Sequence, residues 1–214
     1  MQVKMLHKEI DSLHTQHGDA SLYPVYGAGC IDRPRVMFIF MNPTAKNVSS
    51  QKGWNGLRAP WLGTKNIWSL LSDLGFISSD YFNQISTLRP EEWTESFSEE
   101  IYTHLKDKSV YITNLAKCTQ LDARPLKDEV FKKYLDLMKK EISIINPKHI
   151  ITFGNQVSSI ILNKPISVSK YTGVMSEPIA IDGRAHNIYP TYYPVGHGRM
   201  NQPKAIKRIK VILK

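Results

Sequence analysis

The sequence predicts an α/β fold, a three-layer α/β/α sandwich with a short, mostly parallel central sheet of about four strands. Two observations support this prediction. Apolar runs such as residues 35–41, which end in turn-forming residues, are typical of strands buried on both faces. Segments with apolar residues at helical spacing lie between these runs, and strands that alternate with helices form parallel sheets. Because no repeat, linker or low-complexity segment divides the chain, we expect a single domain over residues 1–214.

Up to Gly75, the chain is expected to contain one strand and two helices. Apolar spacing predicts the helices, and polar stretches with several glycines and prolines predict the loops. Thr64 is a residue type that caps a helix start, and Gly75 is one that ends a helix. In order, the predicted elements are a helix over 1–13, a loop over 14–29, a strand over 35–41, a long polar loop over 47–63 and a helix over 64–74.

Beyond Gly75, the same patterns predict further strands that alternate with helices. The segment 91–105 has an acidic first turn, which suits a helix dipole, and Asn146-Pro147 is a typical helix stop. In order, the predicted elements are a helix over 91–105, a strand over 109–113, a helix over 125–145, a strand over 149–153, a short helix to 162, a hairpin or two short strands within 179–189, and a basic helix over 203–214.

Composition restricts the class of protein before any motif is considered. The 214 residues include 28 Lys and Arg against 19 Asp and Glu, a net charge of +9, so polyanions are the expected partners. Two cysteines are too few for a disulfide framework or for a metal or cluster site with four thiolates. No apolar run is long enough to span a bilayer, and the N-terminal residues lack the apolar core of a secretion signal. We therefore expect a reduced, soluble, cytoplasmic protein.

Three segments follow predicted strands, and the ligands of parallel sheets bind beyond the carboxyl ends of the strands. These segments are 41–44, 114–118 and 192–199. The sequence has no phosphate-binding glycine loop, no dinucleotide fingerprint, no paired metal ligands and no nucleophile elbow. It therefore indicates no covalent or metal-dependent enzyme, and we expect neither a metal nor another cofactor.

Taken in order, these segments resemble motifs of the uracil-DNA glycosylase superfamily. Pro24–Gly29 followed by Arg35–Pro43 is similar to the approach to the first motif, and its Asn-Pro ending is similar to the mismatch-specific and single-strand-selective branches. Pro60–Gly63 and Tyr111–Cys118 resemble the Pro-Phe-Val-Gly motif and the base-recognition strand of the branch that contains an iron–sulfur cluster. Pro190–Pro194 lies where the family has its second motif, so the resemblance covers most of the chain.

The sequence departs from that family in two places. The cluster-containing branch holds iron and sulfur with four cysteines, whereas here only Cys118 falls on a ligand position and Phe131 occupies another, so no cluster is expected. The histidine that precedes proline in the second motif is Tyr193 here, and His197 lies four residues later. The resemblance implies a monofunctional DNA glycosylase that removes uracil, or a related deaminated base, after flipping it out of the strand.

The resemblance also implies roles for residues near the first two strands. Asn42 would orient the water that attacks the sugar, with its neighbours Met41 and Pro43 in contact with substrate. An amide cannot take up a proton near neutral pH, so Asn42 would position the water rather than deprotonate it. Asn114 would read the edge of uracil, and Trp61 would stack on the flipped base.

The second motif supplies the remaining candidates. A hydrogen bond from Tyr193 or from His197 would stabilise the negative charge of the departing base, and the sequence does not separate these two. Arg199 follows as a substrate-binding residue. The expected partner is single- or double-stranded DNA, bound by a monomer through basic residues near the C-terminus and around the 47–63 loop.

Simpler interpretations of the same residues remain open. Asn42 and Pro43 can merely turn the chain, Asn114 can form an Asx turn, and Trp61 can be a core residue. A basic run can also be a solvated face. The alternative functions are a non-catalytic nucleic-acid-binding protein on the same scaffold and an N-glycosidase of free nucleosides or nucleotides.

Overall fold

A mixed sheet of six strands lies between two layers of helices, which confirms the α/β fold that the sequence predicts. The structure is a computed structural model, and it describes residues 3–124 and 126–214 apart from the side chain of His197. The strands are β1 (Ala28–Gly29), β2 (Val36–Phe40), β3 (Val110–Asn114), β4 (His149–Phe153), β5 (Glu177–Ile181) and β6 (Arg184–Thr191). Their order in the sheet is β1-β3-β2-β4-β6-β5.

The four central strands are parallel to one another, and two antiparallel strands form the edges. The prediction of about four strands was therefore too low. β1 lies within a segment predicted as loop, because a strand of two residues is too short for an apolar pattern. At the other edge, β5 and β6 form the hairpin suggested by the sequence, joined through Asp182 and Gly183 with φ of 47° and 75°. Positive φ at both turn residues matches the twist of a hairpin.

Eight α-helices flank the sheet in the described part of the chain. They are α1 (His7–His17), α2 (Asn66–Asp73), α3 (Ser79–Thr87), α4 (Glu95–Asp107), α5 (Asp128–Lys133), α6 (Leu135–Ile145), α7 (Asn155–Leu162) and α8 (Gln202–Ile212). Short 3₁₀ helices cover Val3–Leu6, Val48–Ser50, Pro90–Glu92, Val168–Lys170 and Gly196–Asn201. None of the described helices is long and apolar enough to cross a membrane.

Several predicted helix boundaries were wrong, for local reasons. The helix predicted over 125–145 is divided at Tyr134 into α5 and α6, and its first residue, Pro125, lies outside the described residues. Thr64 does not cap α2, because its hydroxyl donates to the Trp61 carbonyl instead, at 2.8 Å. No helix was predicted over α3, whose one buried residue is Ile85, although Tyr81 and Phe82 pack partly buried against the same core.

Alternate residues of the central strands pack against the two helical layers. On one side Phe38 and Phe40 of β2 join a core formed by α2, α3, α4 and α8. On the other side Met37 and Ile39 join a core formed with α5, α6 and α7. All five residues of β2 are buried, as expected of a strand that is covered on both faces.

The strand order places a crevice at the carboxyl edge of the sheet. β3 and β4 lie on opposite sides of β2, so the chain leaves β2 in one direction and returns past it in the other. In sheets of this kind the connections diverge where the order reverses, and ligands bind in the gap beyond the strand ends. The gap lies beyond Phe40 at the end of β2 and Phe153 at the end of β4.

Candidate functional site

A cavity of about 370 Å³ opens at this carboxyl edge, and it brings together most of the predicted site residues. Six of the eight predicted residues line it, from the ends of β2, β3 and β6 and from the long loop after β2. These six are Met41, Asn42, Pro43, Trp61, Asn114 and Tyr193. Residues that are distant in sequence thus meet where the fold predicts a ligand site.

Asn42 stands at the cavity wall, two residues beyond the end of β2. Its amide nitrogen donates to the Pro43 carbonyl at 3.1 Å. This contact uses one amide hydrogen and leaves the side-chain oxygen free to accept a hydrogen bond from a ligand or water. The residue is only partly buried, so the oxygen has access to the cavity.

Asn114 is the last residue of β3 and is 2% exposed. Its strand partner in the register is Phe40, so its side chain lies beside the end of β2. Among the described residues, no group hydrogen-bonds with the Asn114 side-chain amide, although the residue is almost completely buried. A buried amide without a protein partner is costly unless a ligand or water satisfies it. Its donor and its acceptor are therefore both available to something bound in the cavity.

Backbone hydrogen bonds continue between the two chain segments after β2 and β3 have ended. The Leu115 and Ala116 amides donate to the Phe40 and Met41 carbonyls at 2.8 and 3.0 Å. Farther on, the Gln120 amide donates to the Pro43 carbonyl at 3.1 Å. These bonds hold the asparagine-bearing ends of the two strands in a fixed relation.

Trp61 lines the cavity from the long loop, in a backbone conformation that is rare for a large side chain. Its φ is 69°, and such left-handed residues commonly mark functional sites. The Trp61 carbonyl accepts hydrogen bonds from the Trp68 indole at 3.2 Å and from Thr64. The Trp61 ring contacts Phe40 edge to face, with 5.0 Å between ring centroids. The indole N–H of Trp61 is buried without a partner among the described residues.

Tyr193 lies two residues beyond β6 and lines the cavity. Burial raises the pKa of its phenol to about 12, so the hydroxyl stays protonated at neutral pH and can donate a hydrogen bond. The backbone packs closely here, since a Cβ atom on Gly198 would lie 2.1 Å from the Tyr193 carbonyl oxygen. Gly198 is therefore needed to bring the following turn against this tyrosine.

The other two predicted residues are not among the described residues that line the cavity. Arg199 is exposed on the 3₁₀ helix Gly196–Asn201 and does not line the cavity. The backbone of His197 lies on this helix, but its side chain is outside the described part of the structure. Gly196 and Gly198, on either side of it, do line the cavity.

Other lining residues were missed as site residues. Lys46 is the one charged side chain among the described lining residues, and the sequence indicated only that it flanks the loop. Asn47 is buried and tied to its own loop, because its amide donates to the Ala59 carbonyl at 2.8 Å. A polar loop offered no signal that could select these positions. The remaining lining residues are Thr44, Thr64, Asn66, Ala123, Val195, Gly196 and Gly198.

The basic residues near the site fall into two groups. Lys46 and Lys204 are exposed, and the Lys204 ammonium lies 5.3 Å from the Tyr192 ring centroid. Arg208 is only 5% exposed and donates to the Met175 carbonyl at 2.6 Å, while Arg58 packs over the Tyr26 ring. These two arginines are partly or wholly occupied within the protein, so the lysines are the better phosphate ligands.

The described residues contain no group of three or more His, Cys, Asp or Glu side chains arranged to hold a metal ion. Cys118, the residue that falls on a cluster-ligand position, is buried, and burial raises the pKa of its thiol. Cys30 is half-buried and also free.

Fold and cavity together define a class of α/β protein with a small cavity at the carboxyl edge of a mostly parallel sheet. Comparison with family models places the chain within one such class, since the model of the Uracil DNA glycosylase superfamily matches residues 26–214. The chain belongs to this superfamily, whose members are glycosylases that act on DNA. A search of individually curated proteins gave no match.

Proposed function

We propose that the protein is a DNA glycosylase that hydrolyses the bond between deoxyribose and uracil, or a related deaminated base, and so begins base excision repair. The observation that carries this proposal is the convergence of Asn42, Trp61, Asn114 and Tyr193 on one cavity. Its volume is at the lower end of the range for small-ligand sites, which suits a single nucleoside. The target base therefore has to leave the DNA helix to reach these groups.

Asn42 acts on the water. The bond between C1′ of the sugar and the base nitrogen breaks, and its electron pair leaves with the base. The water oxygen then bonds to C1′, and the water proton passes to solvent or to the departing base. The Asn42 oxygen accepts a hydrogen bond from this water and fixes its direction of attack, while the bond from its amide nitrogen to Pro43 holds the amide still. Because an amide is not a base near neutral pH, this mechanism depends on positioning.

The base is held by three contacts of different kinds. The Asn114 amide pairs its donor and acceptor with the imide edge of uracil, which presents one carbonyl oxygen and one N–H. Trp61 stacks on the ring, and the neutral Tyr193 phenol donates to the other carbonyl oxygen as negative charge develops there. The contacts of Asn114 are equally strong in the substrate and in the transition state, so they select the base. The hydrogen bond from Tyr193 becomes stronger as charge develops on the base, so it raises the rate.

An exposed apolar residue at the cavity mouth completes the proposal. Met200 is 91% exposed on the 3₁₀ helix whose glycines line the cavity. Apolar side chains that enter the base stack are a common device of proteins that distort DNA. Met200 then fills the space that the flipped nucleotide leaves, while exposed lysines such as Lys46 and Lys204 contact phosphates.

The test is base release from oligonucleotides that contain one uracil, as single and double strands, followed by alkaline cleavage of the abasic product. We expect strand scission with the wild-type protein and a loss of at least about 100-fold with Asn42→Ala. Asn55→Ala is the matched control, since Asn55 is exposed on the same loop and does not line the cavity. No scission with uracil, hypoxanthine, xanthine or mismatched substrates would overturn the proposal.

The same assay separates the two alternatives. A non-catalytic binding protein would bind DNA in a salt-sensitive way that Asn42→Ala leaves unchanged, and it would release no base. An enzyme of free nucleosides would release uracil from deoxyuridine, with no gain from an oligonucleotide substrate.

A further inference from the structure

A buried ion pair lies beneath the cavity, between the strand end that carries Asn114 and helix α6. The Lys117 ammonium is 2.6 Å from a Glu141 carboxylate oxygen, and the two side chains are 0% and 1% exposed. Two charges removed from water are expensive, and an apolar pair of similar size is often equally stable. The pair therefore calls for an explanation other than its contribution to stability.

The Lys117 ammonium has three oxygen neighbours. It is paired with the Glu141 carboxylate, and it donates hydrogen bonds to the Thr113 hydroxyl and, at 2.5 Å, to the main-chain carbonyl of Asn114. The other Glu141 oxygen accepts from the Thr113 hydroxyl at 3.0 Å and from the Tyr111 hydroxyl at 2.7 Å. One continuous network thus joins α6 to the Asn114 peptide group.

We propose that Lys117 is a positioning residue, which fixes the Asn114 peptide so that the side-chain amide of Asn114 faces the base. This inference rests on the proposed function, because that function makes Asn114 the base-reading group. At the end of β3 the sheet no longer holds this carbonyl, and the ammonium takes over. Since a displacement of about 1 Å in a positioning group can cost about 100-fold in rate, a fixed peptide has a direct catalytic consequence.

Lys117 does not act on the base itself. Its side chain is completely inaccessible, so no ligand in the cavity can contact the ammonium. The Glu141 carboxylate at 2.6 Å also offsets its charge, which makes a long-range effect on an anionic leaving group small. Its influence passes through the Asn114 peptide.

The experiment compares Lys117→Met/Glu141→Gln with Glu141→Gln alone. The double variant leaves no buried charge without a partner, which is the usual reason why such variants unfold. Glu141→Gln is the matched control, because burial lowers the pKa of Lys117 and the amine becomes neutral once the carboxylate is gone, so no unpaired charge is left. Its two hydrogens still reach Thr113 and Asn114, and the Gln oxygen still accepts from Tyr111 and Thr113. Tyr111→Phe is a second control, which removes one bond of the network on the side away from Asn114.

We expect kcat for a uracil-containing oligonucleotide to fall about tenfold to 100-fold in the double variant relative to Glu141→Gln. Both KM and binding of an oligonucleotide with an abasic site should change less than about threefold, since phosphate contacts are untouched. The Leu115 amide, which donates to Phe40 next to Asn114, should exchange its hydrogen faster in the double variant only. The proposal would be overturned if kcat were equal in the double variant and in Glu141→Gln. It would also be overturned if the loss of kcat simply followed the loss of folding stability across all variants.

Two further outcomes are decisive without this comparison of rates. If the wild-type protein releases no base, the proposed function fails, and unchanged exchange of the Leu115 amide in the double variant would separately refute the role of Lys117. If the double variant does not fold, wild-type hydrogen exchange decides. The role of Lys117 requires the Leu115 amide to be as protected as the Ile112 amide in the middle of β3, and exchange by local opening at Leu115 alone contradicts it.

Discussion

Replacing Gly27 with alanine tests how rigid the buried network beneath the cavity is. A Cβ atom at this position would lie 2.1 Å from the Tyr111 hydroxyl oxygen and 2.4 Å from a Glu141 oxygen. Ordinary contacts begin at 3.4 Å, so both atoms would have to retreat by about 1 Å. They are the ends of side chains, but both side chains are buried, at 0% and 1% exposure.

The expected cost follows from these contacts. Overpacking a core costs about 1–3 kcal/mol, and breaking a buried ion pair costs about 3–5 kcal/mol. Because the alanine would push on the carboxylate that holds Lys117, we expect the free energy of unfolding to fall by about 3 kcal/mol. Gly27 does not have a positive φ, so backbone strain adds nothing to this figure.

Urea unfolding followed by circular dichroism measures the effect. Gly53→Ala is the control, since Gly53 also lacks a positive φ and no atom lies within 4 Å of its added Cβ, and it should change stability by less than about 1 kcal/mol. Adding Tyr111→Phe to Gly27→Ala removes the closest contact but leaves the ring carbon Cζ at 2.5 Å and the Glu141 oxygen at 2.4 Å, so it should recover less than about 1 kcal/mol. A loss below about 1 kcal/mol for Gly27→Ala would refute the reasoning, because it would mean that the network moves freely.

Three further predictions concern the cavity and the pH dependence of stability. Trp61→Ala should raise KM for uracil-containing DNA about tenfold, because the stacking contact is lost. Trp61→Phe should keep most of the activity. It should also unfold at an equal or higher urea concentration, because it removes a buried N–H group that has no partner among the described residues. Tyr193→Phe should lower the single-turnover rate about 100-fold with DNA binding unchanged, and an unchanged rate would assign the donor to another group. Burial lowers the pKa of His149 and His186, so the unfolded chain binds protons more readily, and the free energy of unfolding should fall as the pH drops below about 6.5. Urea unfolding between pH 5 and pH 7.5 checks this, and the decline should be smaller in His149→Phe/His186→Phe.

The sequence predicts the core of the fold well because its signals there are local. The strand over 149–153 and the helix that ends at Leu162 have the predicted boundaries, since Gly154 and Asn155 separate two apolar segments of different period. Signals of this kind are absent where an element depends on its neighbours. β1 exists because β3 offers it hydrogen bonds, as in the pairing of Ala28 with Ile112, and no pattern within two residues can show this.

The residues of the site also divide into those with a local sequence signal and those whose contacts depend on packing. The positions of Asn42 and Asn114 at the cavity could be predicted because Asn42 follows one apolar strand and Asn114 ends another, and strand ends of a parallel sheet meet at one edge. The contact between Lys117 and Glu141 joins the segment after β3 to α6, and only the packing of that helix against the sheet brings the two residues together. The left-handed backbone of Trp61 is equally hidden, because its sequence neighbours include no signal for a positive φ.

The register of β2 against β3 has a consequence for how substrate choice can vary on this scaffold. Phe40 pairs with Asn114, so the two catalytic asparagines of the proposed mechanism leave adjacent strands, which lie about 4.8 Å apart in any sheet. The sheet therefore fixes how far the residue that orients the attacking water lies from the residue that recognises the base. The loop that carries Trp61 is not part of these strands, so it can lengthen or change its chemistry while that distance stays the same. New base preferences can therefore arise in that loop without rebuilding the reaction centre.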